Sequence, residues 1–415
     1  MKKIVIIGGG AAGMMAAITA AREDKKADIH ILEHKELVGK KILSTGNGRC
    51  NYTNEKMGID FYYSENLEVV RQVLGQFGTE DTLKFFRELG IFSKSKNGYY
   101  YPRSEQAAVV RELFALHLES LGVHVHAGLH VSSIKREGAG FRISVLEAGQ
   151  TKKTAQIKAD KVILCAGGKA ASVLGSDGSG YDLAKGLGHT IVPVVPALVQ
   201  LRVKAHPLKK ASGVRTDAAV HIYENRKLMG SDTGELQITD YGISGIPVFQ
   251  VSRHAAKGLY YKRPVRAEID FLPELQKDVV TSMLRFWKKR HRQRQIPELL
   301  LGAFNKKLVP CLLKYAGIPM HLKLGELNED TIERLTCTCK NFSMNIEAAN
   351  GFENAQVCAG GVRLKEINPA TMESLRCENL YLAGELLDAD GICGGYNLQW
   401  AWATGYLAGL HAVTD

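Results

Sequence analysis

The run Ile4-Val5-Ile6-Ile7-Gly8-Gly9-Gly10-Ala11-Ala12-Gly13 constrains the fold of this chain more than any other feature. Four β-branched apolar residues in succession suit a strand buried on both faces. The glycines that follow read G-x-G-x-x-G. Gly8 admits a tight turn, Gly10 lets backbone approach a pyrophosphate, and Gly13 lets helix and strand pack closely. A helix over residues 11–22 would aim its amino end, worth about half a positive charge, at the phosphates. Lys2 and Lys3 ahead of an apolar stretch would also suit a secretory leader. The next strand decides between the two readings. Asp28-Ile29-His30-Ile31-Leu32-Glu33 ends in a carboxylate twenty residues beyond Gly13. A carboxylate there accepts both hydroxyls of an adenosine ribose and favours FAD or NAD over a 2′-phosphorylated ligand. The opening segment is therefore expected to stay in the mature protein.

Residues 39–54, Gly39-Lys40-Lys41-Ile42-Leu43-Ser44-Thr45-Gly46-Asn47-Gly48-Arg49-Cys50-Asn51-Tyr52-Thr53-Asn54, gather glycines, hydroxyls, cations and amides. Such a loop can wrap a large polar cofactor with backbone donors, and it points to FAD rather than NAD. Near the other end, residues 379–391 read as a strand followed by an acid-bearing turn with Glu385 and Asp390. Gly394-Gly395-Tyr396-Asn397-Leu398-Gln399 follow, then a helix over 400–411 with Ala401, Ala403, Gly405, Ala408 and Gly409. Amides at its start would polarise the flavin's pyrimidine carbonyls.

Taken together with Cys165-Ala166-Gly167-Gly168, Gly178-Ser179-Gly180-Tyr181, Thr239-Asp240-Tyr241-Gly242-Ile243-Ser244-Gly245, Ala359-Gly360-Gly361-Val362 and Thr371-Met372-Glu373-Ser374, these motifs make the chain resemble the BaiN-like group. That is a group of bacterial two-dinucleotide-fold NAD(P)/FAD-dependent flavoproteins, which includes a bile-acid-pathway enone reductase and an aminoacetone oxidase. The resemblance covers nearly the whole chain. Motifs and resemblance together imply non-covalent FAD at Gly8, Gly10, Ala12, Gly13, Glu33, His34, Lys41, Thr45, Gly46, Arg49, Cys50, Asn51, Val131, Ala166, Gly167, Gly384, Glu385, Asp390, Gly395, Tyr396, Asn397 and Leu398.

The expected fold class is α/β: a Rossmann-type two-dinucleotide-binding FAD domain carrying an inserted β-barrel-like domain and a helical subdomain. A helix is expected over 105–121, with short strands around Val123, Val131, Phe141 and Ile157. The Gly138-Ala139-Gly140 turn suggests an antiparallel meander, before Val162-Ile163-Leu164 re-enters the parallel sheet. Alternation as in Val199-Gln200-Leu201-Arg202-Val203 makes 192–271 β, and 274–334 reads as helical, broken at Pro297 and Pro310. The domain division is 1–191 (FAD domain, first part), 192–273 (β insert), 274–340 (helical) and 341–415 (FAD domain, closing part). The substrate is expected between the insert and the flavin face, with an apolar pocket suiting a steroid and a narrow one with a carboxylate suiting an amine.

Cys50 has no partner five residues on, where Glu55 stands, so dithiol–flavin chemistry is not expected. Cys337-Thr338-Cys339 lacks a second pair nearby, and no metal is expected. Gly175-Ser176-Asp177-Gly178-Ser179-Gly180 lacks the strand and acid of a separate nicotinamide domain. Electrons must then come from the substrate, from NADH or NADPH docking transiently, or from another protein. Tyr101, Arg103 and Tyr241 (with Tyr396 also weighed) are the candidates for supplying a proton, and Arg103 could instead clamp a substrate carboxylate. The net charge of +11 suits anionic ligands. The run Lys288-Lys289-Arg290-His291-Arg292-Gln293-Arg294 reads as the solvated face of a helix whose Met283, Leu284 and Trp287 face a core. A nucleic-acid partner, as in a tRNA-modifying flavoprotein, is the lesser reading of that run. No other apolar run is long enough to span a membrane, and eight cysteines without paired spacing suit a reduced, cytoplasmic setting. The reading is an FAD-dependent oxidoreductase acting on a small molecule. The resemblance favours reduction of a conjugated carbon–carbon double bond in a steroid-like acid, with oxidation of a small amine second.

Overall fold

Strand Lys3–Ile7 is the middle of a five-stranded, wholly parallel sheet ordered Leu380–Leu382, Lys161–Leu164, Lys3–Ile7, Asp28–Glu33, His124–Ala127. Ile4, Val5 and Ile6 are fully buried, as a strand covered on both faces requires. The computed structural model describes residues 2–147 and 155–414. The chain forms two compact units, Met1–Val194 with Gln356–Asp415, and Val195–Ala355. Among the described residues, no helix is long and apolar enough to cross a membrane.

In the first unit, helix Ala11–Glu23 follows the glycine turn, and helix Tyr396–Val413 packs against it. The small residues of the closing helix have a steric cause. A Cβ on Gly405 would lie 2.4 Å from the Ala12 carbonyl oxygen, and one on Gly409 would lie 2.2 Å from that of Ala16. Any side chain at either position would push the helices apart. The closing helix begins at Tyr396, four residues before the expected start, because Gly395 adopts a left-handed conformation (φ 92°) that turns the chain directly into it. Strands Leu129–Glu137, Gly140–Glu147 and Ala155–Ala159 form the antiparallel meander, turning at residues 138–139 as the glycines there suggest. His124–Ala127 lies outside that meander, as the parallel edge strand of the main sheet.

The second unit is built on a closed six-stranded barrel of Leu201–Val203, Gly242–Gly245, Lys227–Ile238, Arg215–Glu224, Val265–Asp270 and Phe342–Ala349. Two features depart from the sequence reading. The all-β reading of 192–271 missed helix Ile246–Tyr260, whose buried Val248, Val251, Ala255 and Ala256 follow helical spacing and which carries Pro247 in its first turn. Strand Phe342–Ala349 completes the barrel, so the return to the first unit comes at Gln356 rather than at 341. Pro297 and Pro310 sit in the opening turns of helices Ile296–Leu300 and Leu308–Tyr315, starting helices rather than breaking them. Helices Lys277–Arg290 and Glu329–Lys340 complete this part. Leu284 is buried and Trp287 packs partly against the core, but Met283 is exposed.

Candidate functional site

The glycine turn stands at the carboxyl end of the first strand. Gly8 has φ 99°, and a Cβ there would meet the Cys165 carbonyl oxygen at 2.4 Å; a Cβ on Gly13 would meet that of Gly8 at 1.9 Å. Protein crowding alone demands glycine at both. Gly10 differs, because a Cβ there would meet no protein atom within 4 Å. Its smallness serves a ligand, and it lies at the start of a helix that has neither a side-chain cap nor an acid in its first turn. Those are the conditions for binding a pyrophosphate. Glu33, at the end of the next strand, is buried and oriented by the N–H groups of Gly9 and Lys35, which donate to it at 2.8 Å each. Each carboxylate oxygen keeps a lone pair for a ribose hydroxyl. His34 lies 3.5 Å from Glu33, and burial, opposed by Glu33 and Asp177, draws its pKa down. Val131 is buried one residue from His130, whose ring meets that of His34 edge-on at 6.1 Å.

The long polar loop closes through its own backbone. Thr45 donates to the Ile42 carbonyl, Cys50 N–H donates to the Thr45 carbonyl, and Arg49 Nε donates to the Gly46 carbonyl. Gly46, Asn47, Gly48 and Cys50 all have positive φ. With its amide nitrogen set toward the carbonyls of Thr53 and Tyr100, Asn51 also accepts from Gly395 N–H at 3.3 Å, joining this loop to the closing helix. Cys50 is fully buried, and burial pushes its thiol up to about 12. It is a packed residue whose thiol burial keeps protonated.

Lys41 and Glu385 come from opposite ends of the chain and pair at 2.6 Å. Lys41 also donates to the Ala170 carbonyl, and Glu385 accepts from Cys358 N–H at 2.9 Å. The pair leaves this spot without net charge. The buried Tyr181 hydroxyl lies against Cys358 and Glu385, and burial holds its phenol well above the ordinary range. Ala166 and Gly167 turn the chain in front of this group; a Cβ on Gly168 would lie 3.1 Å from Cys358, Glu385 and Tyr181 alike.

Gly384 has φ 78° and approaches Ala12, where a Cβ would sit 3.0 Å from the Ala12 Cβ. Asp390 is buried in a short antiparallel pair with Tyr63. Asn397 accepts from Gly391 N–H and donates to the Gly391 carbonyl, so its side chain pins the turn rather than reaching outward. Tyr396 stacks on Phe61 at 4.9 Å, and its carbonyl accepts from the Tyr62 hydroxyl. Leu398 packs partly against the core.

Several residues that hold these loops escaped the sequence reading. Trp400 donates to the Gly384 carbonyl and Trp402 to the Tyr52 carbonyl. Gln399, fully buried, accepts from Thr53 and Thr82 and donates to the Phe77 carbonyl. Asp388, also fully buried, accepts from Glu65 N–H. For Gln399, a polar residue inside an apolar helix was the available signal.

Of the proton-donor candidates, Tyr101 stands beside Gly46 with the Arg49 guanidinium 5.0 Å over its ring; burial raises its phenol pKa against the pull of Arg49. Arg103 is exposed. Tyr241 belongs to the barrel unit, where Arg202 lies 5.3 Å over its ring and its carbonyl accepts from Val203 N–H. Cys337 and Cys339 are two apart on one helix, where side chains do not face each other, and Cys339 is buried with its thiol pushed up to about 12.

An uncrowded glycine at an uncapped helix start, a buried carboxylate at the end of the next strand and further loops joined to the same region fit FAD. The chain belongs to the HI0933-like protein Rossmann domain family, whose profile matches residues 2–411. It is 53% identical over 413 residues to the 3-dehydro-bile acid delta(4,6)-reductase of Clostridium scindens, covering 100% of this chain and 99% of that protein. It is 27% identical over 409 residues to the ribosomal RNA dihydrouridine synthase of Haemophilus influenzae, covering 98% and 97%. A solved quinol-fumarate reductase with menaquinol molecules shares the fold, with a TM-score of 0.51 at 15% identity over 100% of this chain and 71% of that one. The chain is an FAD-dependent oxidoreductase.

Proposed function

We propose that the protein reduces a conjugated carbon–carbon double bond in a steroid-like acid, with NADH or NADPH docking transiently as electron donor. One observation carries this reading: the end-to-end 53% identity with a reductase named for a 3-dehydro-bile acid. Bound FAD would supply hydride transfer at N5. The residues of this chain bind and orient it: Gly8, Gly10 and Gly13 by admitting the pyrophosphate, Glu33 and His34 at the ribose, Lys41 and Glu385 as a charge-balanced pair. Thr45, Gly46, Arg49 and Asn51, with Gly395, Tyr396 and Leu398, line the far side. Tyr101, its phenol kept protonated at neutral pH, is the proton donor on this reading, and Arg103 receives the substrate carboxylate. The test is anaerobic: add NADH, then NADPH, and follow bleaching of the flavin band at about 450 nm, then offer a panel of enone acids. Bleaching that an enone acid reverses supports the proposal. Bleaching by a small amine but by neither nicotinamide would overturn it in favour of an amine oxidase.

A second reading has its own support. The Haemophilus relative is named for ribosomal RNA, and Lys289, Arg290 and Arg292 are exposed, whereas Arg294 is paired with Glu298. Dihydrouridine formation in RNA, with no turnover of enone acids, would favour it.

A further inference from the structure

Opposite the cofactor end, the same sheet carries a group of side chains that the flavin chemistry does not use. Asp28-Ile29-His30 opens one strand, and His124-Val125-His126 opens the parallel strand beside it. A strand's two-residue period puts Asp28 and His30 on one face, and likewise His124 and His126. The pairing register sets His30 against His124 and Leu32 against His126, so all four polar side chains share that face.

We propose that Asp28, His30 and His124 bind a divalent transition-metal ion of the zinc type, with His126 orienting His30. The Asp28 carboxylate lies 2.9 Å from His30 Nε2 and 3.7 Å from His124 Nε2. The ligating atoms of the three residues all fall within 4.8 Å of one another, the one such group of three found among the described residues. Four ligands at about 2.0–2.2 Å around a tetrahedral zinc lie roughly 3.3 Å apart, which is inside the observed range. The His30 and His124 rings are stacked, with centroids 4.8 Å apart and planes 25° apart, so both rings must turn about their side-chain torsions for the two Nε2 lone pairs to converge on one ion. Two imidazoles and a carboxylate, with the fourth position left to water, form a donor set suited to this class of ion.

His126 supplies what a metal-bound imidazole needs behind it. Its Nε2 lies 2.9 Å from His30 Nδ1. Neutral His30 has one ring proton. With that proton on Nδ1 and donated to His126, Nε2 presents its lone pair toward Asp28 and the ion. No proton is lost in this arrangement, because the tautomer alone changes. Lys3 stands 3.8 Å from Oδ2 of Asp28, so Oδ1, the oxygen that both imidazoles face, is the one that would exchange its contact with His30 for the ion.

His124 distinguishes this group from an ordinary polar cluster. Its side chain is 60% exposed, and its 3.7 Å separation from Asp28 is too long for a hydrogen bond. It faces the carboxylate without a bond to it, and its exposure gives an ion a way in. The strand it opens is at the sheet edge and, among the described residues, pairs with Asp28–Glu33 alone. An ion shared by Asp28, His30 and His124 would fasten that edge. Five residues of strand, roughly 16 Å, separate Asp28 from Glu33, so the ion would act on stability and leave flavin binding alone.

The test uses the FAD-loaded protein, stripped with a chelator, desalted and titrated with zinc chloride in a calorimeter, with melting temperature and flavin absorbance followed in parallel. The expected result is one equivalent per chain in the low micromolar range, a melting temperature that climbs with zinc concentration, and an unchanged flavin spectrum. His124→Ala and Asp28→Asn should each weaken binding by at least about tenfold, while His221→Ala, in the other unit, should not. Metal-free melting and flavin content of each variant report whether its fold is retained. Absence of binding up to about 1 mM, or affinity in His124→Ala and Asp28→Asn within twofold of the unaltered protein, would overturn the proposal.

Discussion

The two ends of the five-stranded sheet are made by the same strands and have opposite chemistry. At the carboxyl ends stand the small residues Gly8, Ala166 and Gly384, where the chain turns tightly, with the single acid Glu33 among them. At the amino ends stand Lys3, Asp28 and His124, with His30 and His126 one pleat further in, all long polar side chains. Parallel strands impose this difference. Every helix amino end that follows a strand faces the carboxyl edge, so anion binding collects there, and the amino edge is left to side-chain chemistry. Changes at one end should therefore leave the function of the other intact.

The largest break in that comparison is expected from Gly13→Val. Its Cβ would sit 1.9 Å from the Gly8 carbonyl oxygen, so turn and helix must separate; the purified protein should be colourless, read from the ratio of flavin to protein absorbance. Glu33→Gln comes next. It removes a charged acceptor, and hydrogen bonds to charged groups are worth about 1.5–3 kcal/mol, so the FAD dissociation constant from fluorescence titration should rise at least about tenfold.

Lys41→Met should act less strongly, because it leaves the Glu385 carboxylate without its cation. We expect FAD affinity to fall by about five- to tenfold and to recover when Glu385→Gln is added, a coupling that a double-mutant cycle reads directly.

Acid offers a test away from both ends. His254, in the barrel unit, is pushed down to about 4, first by burial and then by Arg253 and Lys257. Its folded pKa lies below the unfolded value of about 6.5. Its contribution to stability is therefore complete above pH 6.5 or so and is lost as pH falls toward 4. His254→Gln should flatten the melting temperature across that window. The smallest effect belongs to the amino end: without metal, His124→Ala should change stability by no more than about 0.5 kcal/mol and FAD content not at all. Flavin loss in that variant would show that the two ends are coupled.

The parallel βαβ opening and the meander turn were legible in sequence because each depends on local chemistry. A β-branched run, G-x-G-x-x-G and an acid twenty residues on leave few alternatives. Gly10 illustrates the limit of that reading. The motif names all three glycines alike, and only the structure separates Gly8 and Gly13, demanded by protein atoms, from Gly10, open to a ligand. Helix Ile246–Tyr260 was lost to the alternation around it, since a 15-residue helix set among strands leaves little periodic signal at its edges. The Lys41–Glu385 pair, separated by 344 residues, has no local trace at all.

The sequence by itself determined the cofactor class and the order of the strands, turns and helices proposed to hold it, because turn geometry, helix starts and strand ends are set by neighbouring residues. Only the tertiary structure decided which distant side chains neutralise, pin or face one another: Lys41 with Glu385, Trp402 with Tyr52, His30 with His124. Those meetings depend on strand order and register, which long-range packing selects and no short stretch of residues encodes.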